Sequence, residues 1–139
     1  MKLPKPENIK NIVWIQTSFL GDIILSTGAI NLAARIFSGA KQIIITTALG
    51  AKALAGEDCI HTQLIFTKRD GSQLLAMLSI RKQLAKLNCQ KNNSVVLVPH
   101  RSLRSNFLSR IIGLPTIGYD EGAASSLYTA RCQRIAVLH

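Results

Sequence analysis

The sequence predicts an α/β domain built as a doubly wound parallel sheet, and three observations predict it. Apolar runs of strand length recur along the chain, among them Ile12-Val13-Trp14-Ile15, Ile43-Ile44-Ile45 and Val95-Val96-Leu97-Val98. Runs without polar alternation suit strands covered on both faces. Between them lie stretches whose apolar residues recur at helical spacing. The two patterns alternate, and right-handed crossovers assemble such a chain into a parallel sheet with helices on both sides. With 139 residues, 47% of them hydrophobic, the chain suits one domain with its own core, and two full domains do not fit.

After a short polar lead-in, Asn11 to Thr17 reads as the first buried strand. From Asp22 to about Phe37, the residues Ile23, Ile30, Ala33, Ala34 and Phe37 follow helical spacing, and Ser38-Gly39 supplies a stop. Gly21, just before this helix, suits a chain that reverses from strand to helix, because it carries no Cβ. Gln42 to Thr47 is the second strand, Ala48 to Ala55 a short helix ended by Gly56, and Gln63 to Thr67 the third strand. Asp70-Gly71 marks a turn. Leu74, Leu75, Leu78, Leu84 and Leu87 then describe an amphipathic helix whose outer face carries Arg81, Lys82 and Lys86. Ser94 to Pro99 is the fourth strand. A helix from about Ser102 to Ile112 is closed by Gly113, and Thr116 to Tyr119 follows Pro115 as a short fifth strand. Gly122 to Ser126 reads as a loop, and Cys132 to Leu138 as a strand or a helix start. No internal repeat or low-complexity segment interrupts this order.

Seventeen Lys and Arg stand against seven Asp and Glu, a formal net charge of +10. Such a field favours anionic partners: nucleic acid, phosphorylated sugars or an acidic membrane surface. The alternative is a fragment that holds the basic part of a longer, balanced protein. A nucleic-acid partner finds no further support, since 5% of the residues are aromatic and no binding motif is present. The three cysteines, Cys59, Cys89 and Cys132, are odd in number and far apart, which gives neither a disulfide framework nor a CxxC metal site and fits a reducing compartment. The first ten residues carry Pro4, Pro6 and Glu7 and no apolar signal region, and the apolar runs are too short to span a bilayer. A cytoplasmic protein is expected, with peripheral membrane contact compatible with its charge.

In a doubly wound sheet the ligand crevice lies beyond the carboxyl ends of the strands where their order reverses, here between the first and fourth. Ser18, Phe19, Leu20, Gly21 and Asp22 follow the first strand, and His100, Arg101 and Arg104 follow the fourth. Asp22 has two readings. An acid in a first helical turn complements the helix dipole, and a carboxylate at the crevice mouth takes a proton from a sugar hydroxyl. The spacing matches neither GxGxxG nor a Walker loop. His100 is expected to point into the crevice or to be a satisfied structural histidine. Arg101 and Arg104, three apart, share a helix face where paired donors grip phosphate or carboxylate, or they are a solvated face. Lys68 and Arg69 end the third strand on the same rim.

The segment Ile15-Gln16-Thr17-Ser18-Phe19-Leu20-Gly21-Asp22-Ile23-Ile24-Leu25-Ser26-Thr27 resembles the opening signature of glycosyltransferase family 9, the ADP-heptose:lipopolysaccharide heptosyltransferases. His100-Arg101-Ser102-Leu103-Arg104-Ser105 and Ile117-Gly118-Tyr119-Asp120 follow in the family's order. Gly28 departs from it, standing about where the family usually has Pro. The resemblance implies the N-terminal, Rossmann-like, acceptor-side domain of a GT-B enzyme that is inverting and metal-independent. It implies Asp22 as the general base. Thr17, Ser18, Gly21, Lys68, Arg69, His100, Arg101 and Arg104 become candidates for acceptor contacts. The implied partner is the anionic lipopolysaccharide inner core, bearing Kdo carboxylates and lipid A phosphates at the inner face of the inner membrane. The implied donor is ADP-heptose, with no resident cofactor. Residues 1–139 are expected to form one acceptor-side domain, without the donor-binding domain that follows in the family. Such a chain is expected to be inactive by itself and to need a donor side from another chain. The competing reading is a non-catalytic module that holds anionic glycolipid or a partner chain through its basic rim.

Overall fold

The computed structural model describes residues 1–67, 73–100, 102–119 and 128–132. Six strands form one sheet: β1 (Asn11–Gln16), β2 (Lys41–Thr46), β3 (Thr62–Ile65), β4 (Ser94–Val98), β5 (Thr116–Tyr119) and β6 (Ala130–Cys132), in the order β3-β2-β1-β4-β5-β6. Every pairing is parallel. The chain therefore steps outward from β1 to β3, crosses back to β4 on the other side of β1, and steps outward again. This is the expected doubly wound α/β fold, with the reversal between β1 and β4.

Five α-helices, α1 (Leu20–Leu25), α2 (Thr27–Ile36), α3 (Ala48–Ala53), α4 (Gln73–Lys86) and α5 (Leu103–Ile112), and a 3-10 turn at Pro6–Asn8 complete the described fold. The sheet separates two apolar clusters. Val13, Ile15, Ile43, Ile45, Val96 and Val98 face α4 and α5, meeting Met77, Ile80, Leu84 and Leu108. Ile12, Trp14, Ile44 and Val95 meet Ile23, Ile30 and Leu54 on the other side. All six residues of β1 are buried, which is why Ile12 to Ile15 are apolar without alternation.

Several expectations change. The helix read from Asp22 to Phe37 begins at Leu20 and divides at Ser26. Ser26 Oγ donates to the Ile23 carbonyl at 2.6 Å, and Thr27 Oγ1 to that of Ile24 at 2.7 Å. Consecutive hydroxyls that back-bond to the preceding turn bend a helix. Gly21 consequently lies inside α1, in ordinary φ space and with open space where a Cβ would stand, so the strand-to-helix reversal does not require glycine there. In α4 the buried stripe is Met77, Ile80 and Leu84, whereas Leu74, Leu75 and Leu78 are exposed. Leu84 and Leu87 meet the core and Arg81, Lys82 and Lys86 are exposed, as expected, so spacing misplaced the face only at the N-terminal leucines. Gly113 does close α5 in the left-handed region, at φ 73°.

The strand β6 extends the sheet at Ala130 and Arg131, for which no element was expected, and at Cys132, where a strand or a helix start was expected. Its approach is held by Tyr128, whose ring stacks where a Cβ on Gly118 would stand and whose hydroxyl donates to Asn106 Oδ1. The expected turn at Asp70-Gly71, the loop from Gly122 to Ser126 and the tail beyond Cys132 lie outside the described residues.

Candidate active site

A cleft of about 510 Å³ opens at the carboxyl ends of β1, β4 and β5, on the line where the strand order reverses. The β1 end contributes Gln16, Ser18 and Phe19, and the β4 end Pro99 and His100. Asp22 and Leu25 of α1, Ser26 and Ala29 beyond it, and Tyr119 of β5 complete the lining. The local sequence explains the placement of Asp22. Ile23 is 1% exposed and anchors α1 in the core, so the neighbouring Asp22 is carried outward into solvent at the cleft mouth. It sits in the first turn, where free amides favour its negative charge.

His100 is fixed from two other elements. Its Nε2 lies 2.8 Å from Ser105 Oγ on α5, and Ser105 Oγ lies 3.2 Å from Thr17 Oγ1 just beyond β1. Both hydroxyl residues are buried. Nδ1 of His100 is also buried and has no hydrogen-bond partner among the described residues. Burial pushes the imidazole below its ordinary value near 6.5, while the charge of Asp22 pulls it the other way and loses. The cleft thus brings together an exposed carboxylate and a histidine held neutral near pH 7. A carboxylate is suited to accept a proton from a hydroxyl, and a neutral imidazole is suited to bond oxygen.

A neutral buried histidine has a consequence for stability. Between the lowered folded value and the unfolded one near 6.5, the unfolded chain binds more protons than the folded chain. The contribution is therefore fully present above about pH 6.5 and is lost as pH falls through that window. Urea midpoints of the native chain are expected to fall on acidification below about pH 6.5, and His100→Gln is expected to flatten that segment. An equal fall in both proteins would contradict the burial of a neutral imidazole.

The expected site residues separate in space. Asp22, Ser18 and His100 line one cleft. Thr17 lies beneath it, bonded to Ser105, and Gly21 is not part of the lining. Arg104 lines a separate groove between α4 and α5, with Leu74, Met77, Leu103, Phe107 and Ile111. Lys68, Arg69 and Arg101 lie outside the described residues. No Lys or Arg of the described residues lines the main cleft. Sequence reasoning missed Gln16, Ser26, Tyr119 and Ser105. Gln16 and Tyr119 end strands at the crevice, which was a usable signal, whereas Ser105 is identified by a partner 88 positions away. Among the described residues no group of three or more His, Cys, Asp or Glu gathers where it would hold a metal ion. No described helix is long and apolar enough to cross a membrane.

No protein-family model and no curated protein matches the sequence. Solved structures match the fold. A glycosyl transferase family 9 protein from Veillonella parvula superposes with a TM-score of 0.77 and 16% identity, over 96% of this chain and 37% of that one. The E. coli heptosyltransferase WaaC with ADP gives 0.75 and 17%, over 93% of this chain and 43% of that one. The same enzyme with ADP-2-deoxy-2-fluoro heptose gives 0.75 and 17%, over 93% and 44%. This chain thus spans less than half the length of these three structures. It has the fold of part of these proteins, the parallel α/β architecture of a GT-B glycosyltransferase domain.

Proposed function

We propose that this chain is the acceptor-side domain of an inverting, metal-independent heptosyltransferase that moves heptose from ADP-heptose to the lipopolysaccharide inner core. The observation that carries the reading is the position of Asp22. It is an exposed carboxylate on an open cleft at the switch point, within the segment that resembles family 9. The likeness to heptosyltransferase structures with ADP and with an ADP-heptose analogue supports the same reading.

In the proposed reaction Asp22 takes the proton of an acceptor hydroxyl, whose oxygen bonds to the anomeric carbon of the donor from the face opposite the diphosphate. The anomeric carbon–oxygen bond to phosphate breaks, and ADP leaves with the electron pair. Configuration inverts because one displacement occurs. Donor binding is assigned to a second Rossmann-like domain, on further polypeptide or on another chain, and transfer requires both sides. Thr17 acts beneath the cleft through Ser105, and Ser18 contacts the acceptor directly. Lys68, Arg69, Arg101 and Arg104 are assigned to its carboxylates and phosphates, with Arg104 acting from the neighbouring groove. The basic excess suits work at the anionic cytoplasmic face of the inner membrane.

The test is binding of a Kdo-bearing lipid A acceptor to the ¹⁵N-labelled chain, with random duplex DNA at equal ionic strength as the comparison. The acceptor is expected to perturb the amides of Gln16, Ser18, Asp22, His100 and Tyr119, and to bind more weakly as salt rises. Preference for DNA, or perturbations confined to other faces, would overturn the proposal.

A further inference from the structure

We infer that Ser105 is a positioning residue that holds His100 as the Nδ1–H tautomer, so that the imidazole has no free lone pair and Asp22 is left as the base of the cleft. The argument is one of proton accounting. Thr17 is buried, and Ser105 Oγ is the hydrogen-bond partner of its Oγ1 among the described residues. Ser105 Oγ has one proton to give and two neighbours, Thr17 and His100 Nε2. If the order runs from Thr17 to Ser105 to Nε2, both hydroxyl protons are used. Nε2 then accepts, and Nδ1 carries the hydrogen. If it runs the other way, the proton of Thr17 has no acceptor among the described residues, and Nδ1 is left bare and without a partner among them as well. The first order leaves one unsatisfied group and the second leaves two, which favours the first. The nitrogen bonded to a fixed partner sets the role of the other.

Asp22 of α1 and the phenol of Tyr119 on β5 share the cleft with His100, and Ser105 and Thr17 are uncharged. With Nε2 accepting from Ser105 and the buried Nδ1 carrying the hydrogen, the imidazole has no free lone pair, which leaves the exposed carboxylate of Asp22 as the group in the cleft that takes a proton from a hydroxyl. The role of Asp22 as base rests on the proposed transferase reading, whereas the tautomer does not.

The tautomer is read directly from long-range ¹H–¹⁵N spectra of the imidazole, recorded without substrate at a pH where His100 is neutral. In the native chain Nδ1 is expected to be protonated and Nε2 bare. Ser105→Ala is expected to move His100 toward the Nε2–H form that an unconstrained histidine favours, and Thr17→Ser, which keeps the hydroxyl, to leave it unchanged. A native His100 in the Nε2–H form overturns the inference whether or not Ser105→Ala folds, and so does a folded Ser105→Ala protein with an unaltered tautomer. Retained turnover in an Asp22 variant would instead remove Asp22 as the base, and failure to bind the Kdo-bearing acceptor would remove the transferase reading; either result leaves the tautomer standing, so the failures are distinguishable.

Discussion

Asp22→Asn is expected to lower heptose transfer by about 10²–10⁴-fold in the chain assembled with its donor side, the range a positioned general base supplies. Acceptor affinity is expected to change little. The substitution preserves shape, Asp22 is exposed and carries no part of the core, and α1 remains anchored by Ile23. The loss should appear in kcat and in kcat/KM together, because the proton is accepted in the transition state and not on binding. A second readout needs no turnover. The charge of Asp22 pulls the His100 imidazole upward, against burial. Asp22→Asn removes that pull, so the imidazole should titrate at a still lower pH, as followed by NMR. Retained turnover would rule out Asp22 as the base. An unmoved His100 titration would show that the two groups do not share the cleft.

The strands were legible because burial on both faces leaves a direct mark. Ile43-Ile44-Ile45 and Val95-Val96-Leu97-Val98 admit few other readings. The division of the first helix was not legible, since it arises from where the hydroxyls of Ser26 and Thr27 turn, and the same residues also occur in unbroken helices. The N-terminal leucines of α4 misled for a different reason. Periodicity gives a face but not the neighbour that covers it, and the core meets Met77 and Ile80 instead. Strand β6 is three residues, Ala130, Arg131 and Cys132, too short and too exposed to carry a pattern.

The site divides along the same line. Asp22 and His100 were readable because a switch-point crevice takes its lining from the residues after the first and fourth strands. The bond between Thr17 and Ser105 joins the end of β1 to α5 and exists only once the sheet has assembled. Among the expected basic residues Arg104 is the one described: it follows β4 in sequence but lines the groove beside α4, not the cleft.

Gly50→Ala tests how the scaffold holds Asp22, and here local preference and packing predict opposite signs. Gly50 lies within α3, where alanine is favoured over glycine by about 1 kcal/mol. A Cβ at this position would stand 2.2 Å from Thr46 Oγ1 and 2.9 Å from Ile23 Cδ1. Neither neighbour yields cheaply: Thr46 is fully buried at the end of β2, and Ile23 is the residue that seats α1. Overpacking of this kind costs about 1–3 kcal/mol, and the contact with Thr46 places the cost at the upper end, so a net loss of about 1–2 kcal/mol is expected in urea unfolding. The displacement passes through Ile23 to the adjacent Asp22. Turnover should therefore fall beyond what the lost stability explains, because misplacement of a reacting group by about 1 Å can cost about 10²-fold. Thr46→Ala is the diagnostic second change. It removes the closer obstruction and, with it, a buried hydroxyl that has no hydrogen-bond partner among the described residues. In a double-mutant cycle the pair should be more stable than the sum of the single changes predicts, as expected for residues in direct contact. Simple additivity would show that Gly50 does not set the spacing between α3 and β2. Full turnover in Gly50→Ala would show that α1 holds Asp22 in place without it.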